Sequence, residues 1–319
     1  MPTKIVREAA PLALLAILFQ VSTHAQSPSD PLASARALAD QGKLPEAEAA
    51  LRTSITANPN SADAHFLLGF VLFGEKKARE SLAEFTAGAK FRRPGPEELK
   101  TVASDYVLLN DLVDADKWFS AVVAELPNDA NVHYLLGRTR FNENDYHGAI
   151  ASFERALALH PKYVEAENNL GLAWRELNET DKARAAFETA IEWQGPAPID
   201  AQPFLNLGKL YGDQHQPAKA IDYLQRAAAL APNNPTVHEE LSHAFAAQAD
   251  LPQAQAELEK AIALAPNVSS LHYQLGQLYR KQGLVAQAKK EFDLTARLSG
   301  SHSSDKTPNP LSIRNPNEP

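Results

Sequence analysis

"TVHEELSHAFAAQADLPQAQAELEKAIALAP" occupies Thr236–Pro266, and it decides the fold because the chain says it more than once. "NVHYLLGRTRFNENDYHGAIASFERALALHP" (Asn131–Pro161) and "SLHYQLGQLYRKQGLVAQAKKEFDLTARL" (Ser270–Leu298) carry the same skeleton. Each holds a leucine followed by glycine or serine, with an aromatic or long side chain three residues on. A small residue follows twelve after the pair, then phenylalanine or leucine four beyond that. Pro127 and Pro161 stand 34 residues apart, as do Pro232 and Pro266. Self-similarity at a fixed period marks an array of stacked units, none of which buries its apolar stripe alone.

Working outward, the leucine-small pair falls at Leu68-Gly69, Val102-Ala103, Leu136-Gly137, Leu170-Gly171, Leu207-Gly208, Leu241-Ser242 and Leu275-Gly276, with Ala35 in a weaker first unit. The small residue of the second half recurs as Ala47, Ser81, Ala115, Ala149, Ala183, Ala220, Ala254 and Ala288. One helical turn later come Leu51, Phe85, Phe119, Phe153, Phe187, Leu224, Leu258 and Phe292. Small residues let two helix backbones approach, and anything larger overpacks at about 1–3 kcal/mol. The Phe or Leu shares the small residue's face by i, i+4 spacing and fills the gap between two helices. Closing prolines stop the second helix.

These residues resemble the tetratricopeptide repeat, a pair of antiparallel helices in 34 residues. The resemblance implies an all-α, right-handed α-solenoid of eight helix-turn-helix units over residues 28–300. The expected units are 28–61, 62–95, 96–129, 130–163, 164–200, 201–234, 235–268 and 269–300. Two places depart from the pattern. "KFRRPGPEE" (Lys90–Glu98) puts Arg93 where proline is usual and reads as a solvated turn. "WQGPAPIDAQP" (Trp193–Pro203) stretches one spacing to 37 residues and predicts a longer loop.

Both ends read differently from the array. Lys4 and Arg7 precede the apolar run "PLALLAILFQV" (Pro11–Val21), and Thr23 and Ala25 offer small residues before Gln26. Residues 1–25 therefore read as a secretory signal, since the run falls short of the ~20 residues a membrane span needs. The expected location is periplasmic or secreted. Residues 301–319 are rich in proline, serine and asparagine and are expected to be a disordered tail.

The 319 residues include no cysteine, which removes disulfides, a lipid-bearing cysteine and thiolate chemistry. A formal charge of −8 argues against a broad nucleic-acid surface. "HEELSH" (His238–His243) invites comparison with a zinc helix, which needs histidines four apart on one face. Here they are five apart, about 140° around the helix, with Ser242 at the ligand position. His65, His133 and His272 share the register of His238, so the residue reads as packing. No metal, cofactor or catalytic constellation is expected, and the chain reads as a non-enzyme.

The resemblance also implies a concave groove lined by the first helix of each unit, where a protein or peptide partner would bind. Asn169, Asn206, Glu240 and Gln274 precede the leucine of the pair in four successive units and could form a polar ladder along a peptide backbone. Phe66, Phe70 and Phe73 make one helical stripe, and Tyr134, Arg138 and Phe141 repeat its registers. Such stripes are usually core, but the family register implies that these face the groove, where they would anchor apolar side chains of a partner. The expected function is an interaction scaffold, with an assembly or chaperone-like factor for envelope proteins as the alternative.

Overall fold

A computed structural model describes residues 32–303; the expected leader at 1–25 and residues 304–319 lie outside them. Among the described residues there are sixteen α-helices and no strand. In chain order they are α1 (Ala33–Asp40), α2 (Leu44–Ala57), α3 (Ala62–Gly74), α4 (Ala78–Ala89), α5 (Pro96–Leu108), α6 (Leu112–Glu125), α7 (Ala130–Asn142) and α8 (Tyr146–Leu159). They continue as α9 (Val164–Glu176), α10 (Thr180–Trp193), α11 (Gln202–Asp213), α12 (Pro217–Leu230), α13 (Pro235–Ala247), α14 (Leu251–Leu264), α15 (Ser269–Lys281) and α16 (Val285–Ser303). Odd-numbered helices are the first of each hairpin. Because α16 runs to Ser303, residues 301–303 are helical, a correction to the tail boundary expected from composition. The chain divides into two compact units between Ala183 and Arg184, within α10.

Backbone geometry repeats with the sequence. The turn inside every hairpin uses one residue at positive φ: Gly42, Lys76, Asn110, Asn144, Asn178, His215, Ala249 and Gly283, with φ from 57° to 78°. After each, an amide reaches back five positions, as in Lys77 N–H to Leu72 O (2.9 Å) and Asp250 N–H to Phe245 O (3.0 Å). This left-handed cap satisfies carbonyls that the helix end would otherwise orphan. Aspartates at Asp111, Asp145 and Asp250 then cap the second helix, accepting from the amides of Asp114, Gly148 and Gln253. A side-chain cap of this kind contributes about 1 kcal/mol.

Close approach explains the small residues. A Cβ added at Gly137 would stand 2.6 Å from the Phe153 ring, and one at Gly208 would stand 2.6 Å from Leu224. Ala47, Ala115, Ala149, Ala183, Ala220 and Ala254 are fully buried, as are Leu51, Phe153 and Phe187. Burying such a phenylalanine or leucine stabilises its hairpin by about 1.5–3 kcal/mol.

In the first unit, Phe153 belongs to a core with Phe141, Ala149, Ile150, Leu170 and Ala173, so residues of α7, α8 and α9 bury one another. In the second unit, Ala254, Leu258 and Ala261 of α14 bury against Leu271, Leu275 and Leu278 of α15. Consecutive hairpins thus share their cores within each unit, as expected of an array.

The two departures fold in specific ways. At the basic turn, Arg93 pairs with Glu125 (2.7 Å), and Arg92 pairs with Glu98 (2.8 Å) while lying over the Phe66 ring (4.5 Å). Gly95 caps α5, its amide donating to Glu98 (3.0 Å). In the longer loop, the Gln194 side chain accepts from the amides of Ile199 (3.1 Å) and Asp200 (2.8 Å) and donates to Asp200 O (3.1 Å). One glutamine therefore satisfies a backbone that has no helix to do so.

Among the described residues, α5 contains one exception in the interior. Asp105 is fully buried, and neither carboxylate oxygen has a hydrogen-bond partner. Burial pushes its carboxyl up to about 7, with Ser81 pulling the other way. Desolvation disfavours the charged form, and no cation stands by to offset it. The same register holds Val71 in α3 and Leu278 in α15, both buried and apolar.

Candidate functional site

The histidine of HEELSH is a tie between turn and hairpin. His238 Nε2–H donates to the carbonyl of Pro232 (2.9 Å), while Nδ1 lies 2.7 Å from the Glu257 carboxylate on α14. His65 repeats the arrangement with Pro59 O (2.9 Å) and Glu84 (2.6 Å), and His272 with Pro266 O (2.9 Å) and Glu291 (2.7 Å). His133 makes only the first bond, to Pro127 O (3.0 Å), because Ser152 stands where the others place glutamate. Each ring thus holds the closing turn of the preceding repeat with one nitrogen. Its other nitrogen meets the second helix of its own repeat in three of the four cases. Burial would raise the Glu257 carboxyl, but Lys260 and His238 outweigh it and hold it below its ordinary value.

His243, the other end of the motif, belongs to a second network. Its Nε2 meets Gln274 Oε1 (2.9 Å) and its Nδ1 lies 3.6 Å from Glu240, which also pairs with Lys209 (2.8 Å). Gln274 Nε2 donates to Glu239 (2.7 Å). Burial alone would push the Glu240 carboxyl up; His243 and Lys209 instead hold it at about 2. The Glu240 contact in turn raises His243, against the effect of burial. Lys209, Glu240, His243 and Gln274 sit on α11, α13 and α15, so this chain of charges joins three successive first helices of the second unit.

The expected ladder is therefore engaged within the protein. Asn169 is buried and its Nδ2 donates to the Tyr134 hydroxyl (3.1 Å). Asn206 is also buried, and Glu240 and Gln274 are committed to the network above. The spacing Tyr134–Asn169 equals that of Glu239–Gln274, so the first helices of neighbouring repeats are tied at one register in both units. Each of these two amides bonds a side chain of the preceding first helix, which a reading of single helices does not reveal.

The apolar stripe separates into two kinds of residue. Phe66 and Phe141 are buried, which corrects their expected place as open anchors. Phe66 stacks on Phe85 at 6.1 Å and fills the space above Gly88, where a Cβ would come within 2.6 Å of its ring. Phe141 sits in the core with Phe153 and edges onto Tyr146 (5.4 Å). Phe70, Phe73, Tyr134 and Arg138 remain partly exposed. Phe70 meets Phe85 edge-on at 5.3 Å, and the Arg138 guanidinium lies 5.7 Å from the Tyr134 ring. Tyr163 packs against Tyr134 at 5.0 Å, and burial pushes its hydroxyl up to about 12.

Sequence reasoning missed the glutamates. Glu84, Glu257 and Glu291 each follow a register histidine by 19 residues, a recurrence visible in the sequence. It also missed Glu167, which takes the histidine register in α9 and whose carboxyl burial pushes up to about 7.

Comparison with known proteins bears on this geometry. Profiles described as "Tetratricopeptide repeat" match residues 134–200, 201–234 and 239–302, and one described as "TPR repeat" matches 35–74. The mouse protein O-mannosyl-transferase TMTC1 is 28% identical over 155 residues, covering 47% of this chain and 16% of that protein. The anaphase-promoting complex subunit CDC16 of Saccharomyces cerevisiae is 26% identical over 213 residues, covering 64% and 25%. The chain thus spans a quarter or less of the length of these two relatives. Among solved structures, a tetratricopeptide repeat protein from Parabacteroides merdae superposes with a TM-score of 0.63 at 18% identity, over 81% of this chain and 97% of that one. Yeast Tom70 gives 0.62 at 15% identity, over 88% and 63%. At these identities the structures speak for the fold.

Proposed function

As the chain belongs to the tetratricopeptide-repeat family, we propose that it is a non-enzymatic scaffold that captures a peptide or partner segment on the first helices of its repeats. One observation supports this reading above others: Phe70, Phe73, Tyr134 and Arg138 stay partly exposed on first helices whose other large apolar side chains, Leu135 aside, are buried. Phe66, Phe85 and Phe141 brace them from behind, so a partner meets side chains already held in place. Preorganisation of this kind lowers the ordering cost of binding. Aromatic and arginine side chains are also the types that carry most interface energy. The same reading has the chain working outside the cytoplasm, on the strength of the leader-like residues 1–25; N-terminal sequencing of the mature protein that begins at Gln26 supports it, and one that begins at Met1 contradicts it.

The test uses the full chain as bait in an extract, wild type beside Phe70→Ala/Arg138→Glu. The expected result is a partner whose retention falls about tenfold or more in the double variant, the effect of one lost anchor. Equal retention of every captured protein contradicts the proposed site.

A further inference from the structure

The last described hairpin, α15–α16, leaves open several positions that most of the others bury. At the register of Phe292, the seven earlier residues from Leu51 to Leu258 are at most 2% exposed, whereas Phe292 is only partly buried. At the register of Thr295, Val122, Ala156, Ala190, Ala227 and Ala261 are fully buried, whereas Thr295, like Ser54 in the first hairpin, is partly exposed. Tyr273 is 50% exposed; at its register Phe66, Asn168 and Leu205 are buried, and Lys100, Tyr134 and Glu239 are partly exposed. Tyr273, Gln277, Arg280, Phe292, Thr295 and Ala296 line an open groove of about 390 Å³. The Tyr273 and Phe292 rings meet at 5.7 Å across it.

Elsewhere in each unit this face is occupied by the first helix of the next repeat. In the second unit, α15 covers it on α13–α14: Leu271, Leu275 and Leu278 bury against Leu258 and Ala261, and Gln274 donates to Glu239. In the first unit, Tyr134 stands at the register of Tyr273, and its hydroxyl accepts from Asn169 on the incoming helix α9. The open groove continues that stacking interface with the same chemistry. An aromatic pair lines it, the Tyr273 hydroxyl stands at the register of the Tyr134 acceptor, and the exposed Arg280, which donates to Gln277, adds a positive charge.

We infer that the face of α15–α16 is a docking site for an amphipathic helix of a partner protein, seated as a further first helix would be. Its occupant carries leucine-type side chains onto Phe292 and Thr295, an asparagine or glutamine to Tyr273, and an acidic residue to Arg280. This surface is made of other residues than the aromatic anchors of the first unit, so either proposal can fail without the other.

A display library of 17-residue amphipathic helices, varied on one face, is selected against the full chain. Enriched helices are expected to carry an amide and an acid at the two stated positions. Their affinity should fall about tenfold or more in Arg280→Glu and in Tyr273→Ala. Thermal unfolding of Arg280→Glu should match wild type, since that side chain is exposed, which separates lost binding from lost fold. Failure to enrich any helix, or equal binding by wild type and both variants, overturns the inference. Two further outcomes overturn it in favour of another occupant. One is self-association of the wild type that Arg280→Glu abolishes. The other is helix binding only after residues 304–319 are removed.

Discussion

Hairpins α7–α8 and α15–α16 are built from nearly the same words and differ in what they bury. Both have a histidine bonded to a proline carbonyl, a Leu-Gly pair and a tyrosine beside the histidine. Both have a phenylalanine whose ring lies 2.6 Å from where a glycine Cβ would stand. Yet Phe153 is fully buried and Phe292 is not; Tyr134 bonds Asn169 of the following helix, while Tyr273 is half exposed. The local skeleton makes a hairpin, and the neighbour finishes its core. Stability in such an array is largely a sum of unit and nearest-neighbour contributions.

The strongest way to break that comparison is to truncate the shared ring. Phe153→Ala should destabilise by about 3–5 kcal/mol, the usual cost of a phenylalanine-sized cavity, and Phe292→Ala by less than half of that. Denaturant midpoints of the two variants check it, and equal losses would remove the neighbour's share.

A second challenge comes from inside the array, where Asp105 breaks the rule that a neighbour's contact is favourable. Its folded carboxyl, at about 7, lies above its unfolded value near 4. The stability held by the protonated form is therefore complete below pH ~4 and lost as pH rises to ~7. Asp105→Val should gain about 2–3 kcal/mol over wild type at pH 8 and little at pH 4. Denaturation midpoints at pH 4, 6 and 8 give the trend, and a gain independent of pH would refute the assignment to the carboxyl.

The histidine tie sharpens the comparison in the opposite sense, because it grips the preceding turn. His272→Ala, which leaves Glu291 and Pro266 O without their partner, should cost about 1–3 kcal/mol. His133→Ala, which removes one bond to Pro127 O and leaves the Arg155 guanidinium donating there (3.5 Å), should cost less. Here the open hairpin loses more. A smaller contrast comes from glycine. Gly137→Ala forces the locked Phe153 ring to shift and should cost about 1–3 kcal/mol, whereas Gly276→Ala should cost under about 1 kcal/mol because Phe292 can move toward solvent.

The period makes the hairpins legible in the sequence alone. Residues such as Gly137, Ala149 and Phe153 have one physical use in that spacing, and the fold gives them that use. Side-chain roles on the first helices were legible only in part. The i, i+4, i+7 spacing gave Phe66, Phe70 and Phe73 one stripe, but that stripe straddles an interior edge, so Phe66 turned inward and Phe70 stayed half open. Asn169 and Gln274 were read along single helices, while their partners Tyr134 and Glu239 lie 35 residues away on the helix before. The left-handed turn went unread because lysine, asparagine, histidine, alanine and glycine all occupy it, leaving no single residue type to notice. Asp105 was hidden in another way: a carboxylate at a buried register looks from sequence like one more solvated charge.

Residue-resolved amide hydrogen exchange on the intact chain tests the central claim most directly. If neighbours complete each core, amides of α7 and α8 should exchange at least about tenfold more slowly than their counterparts in α15 and α16, since local opening follows the contacts that must be broken. Equal protection in the two hairpins would contradict the account.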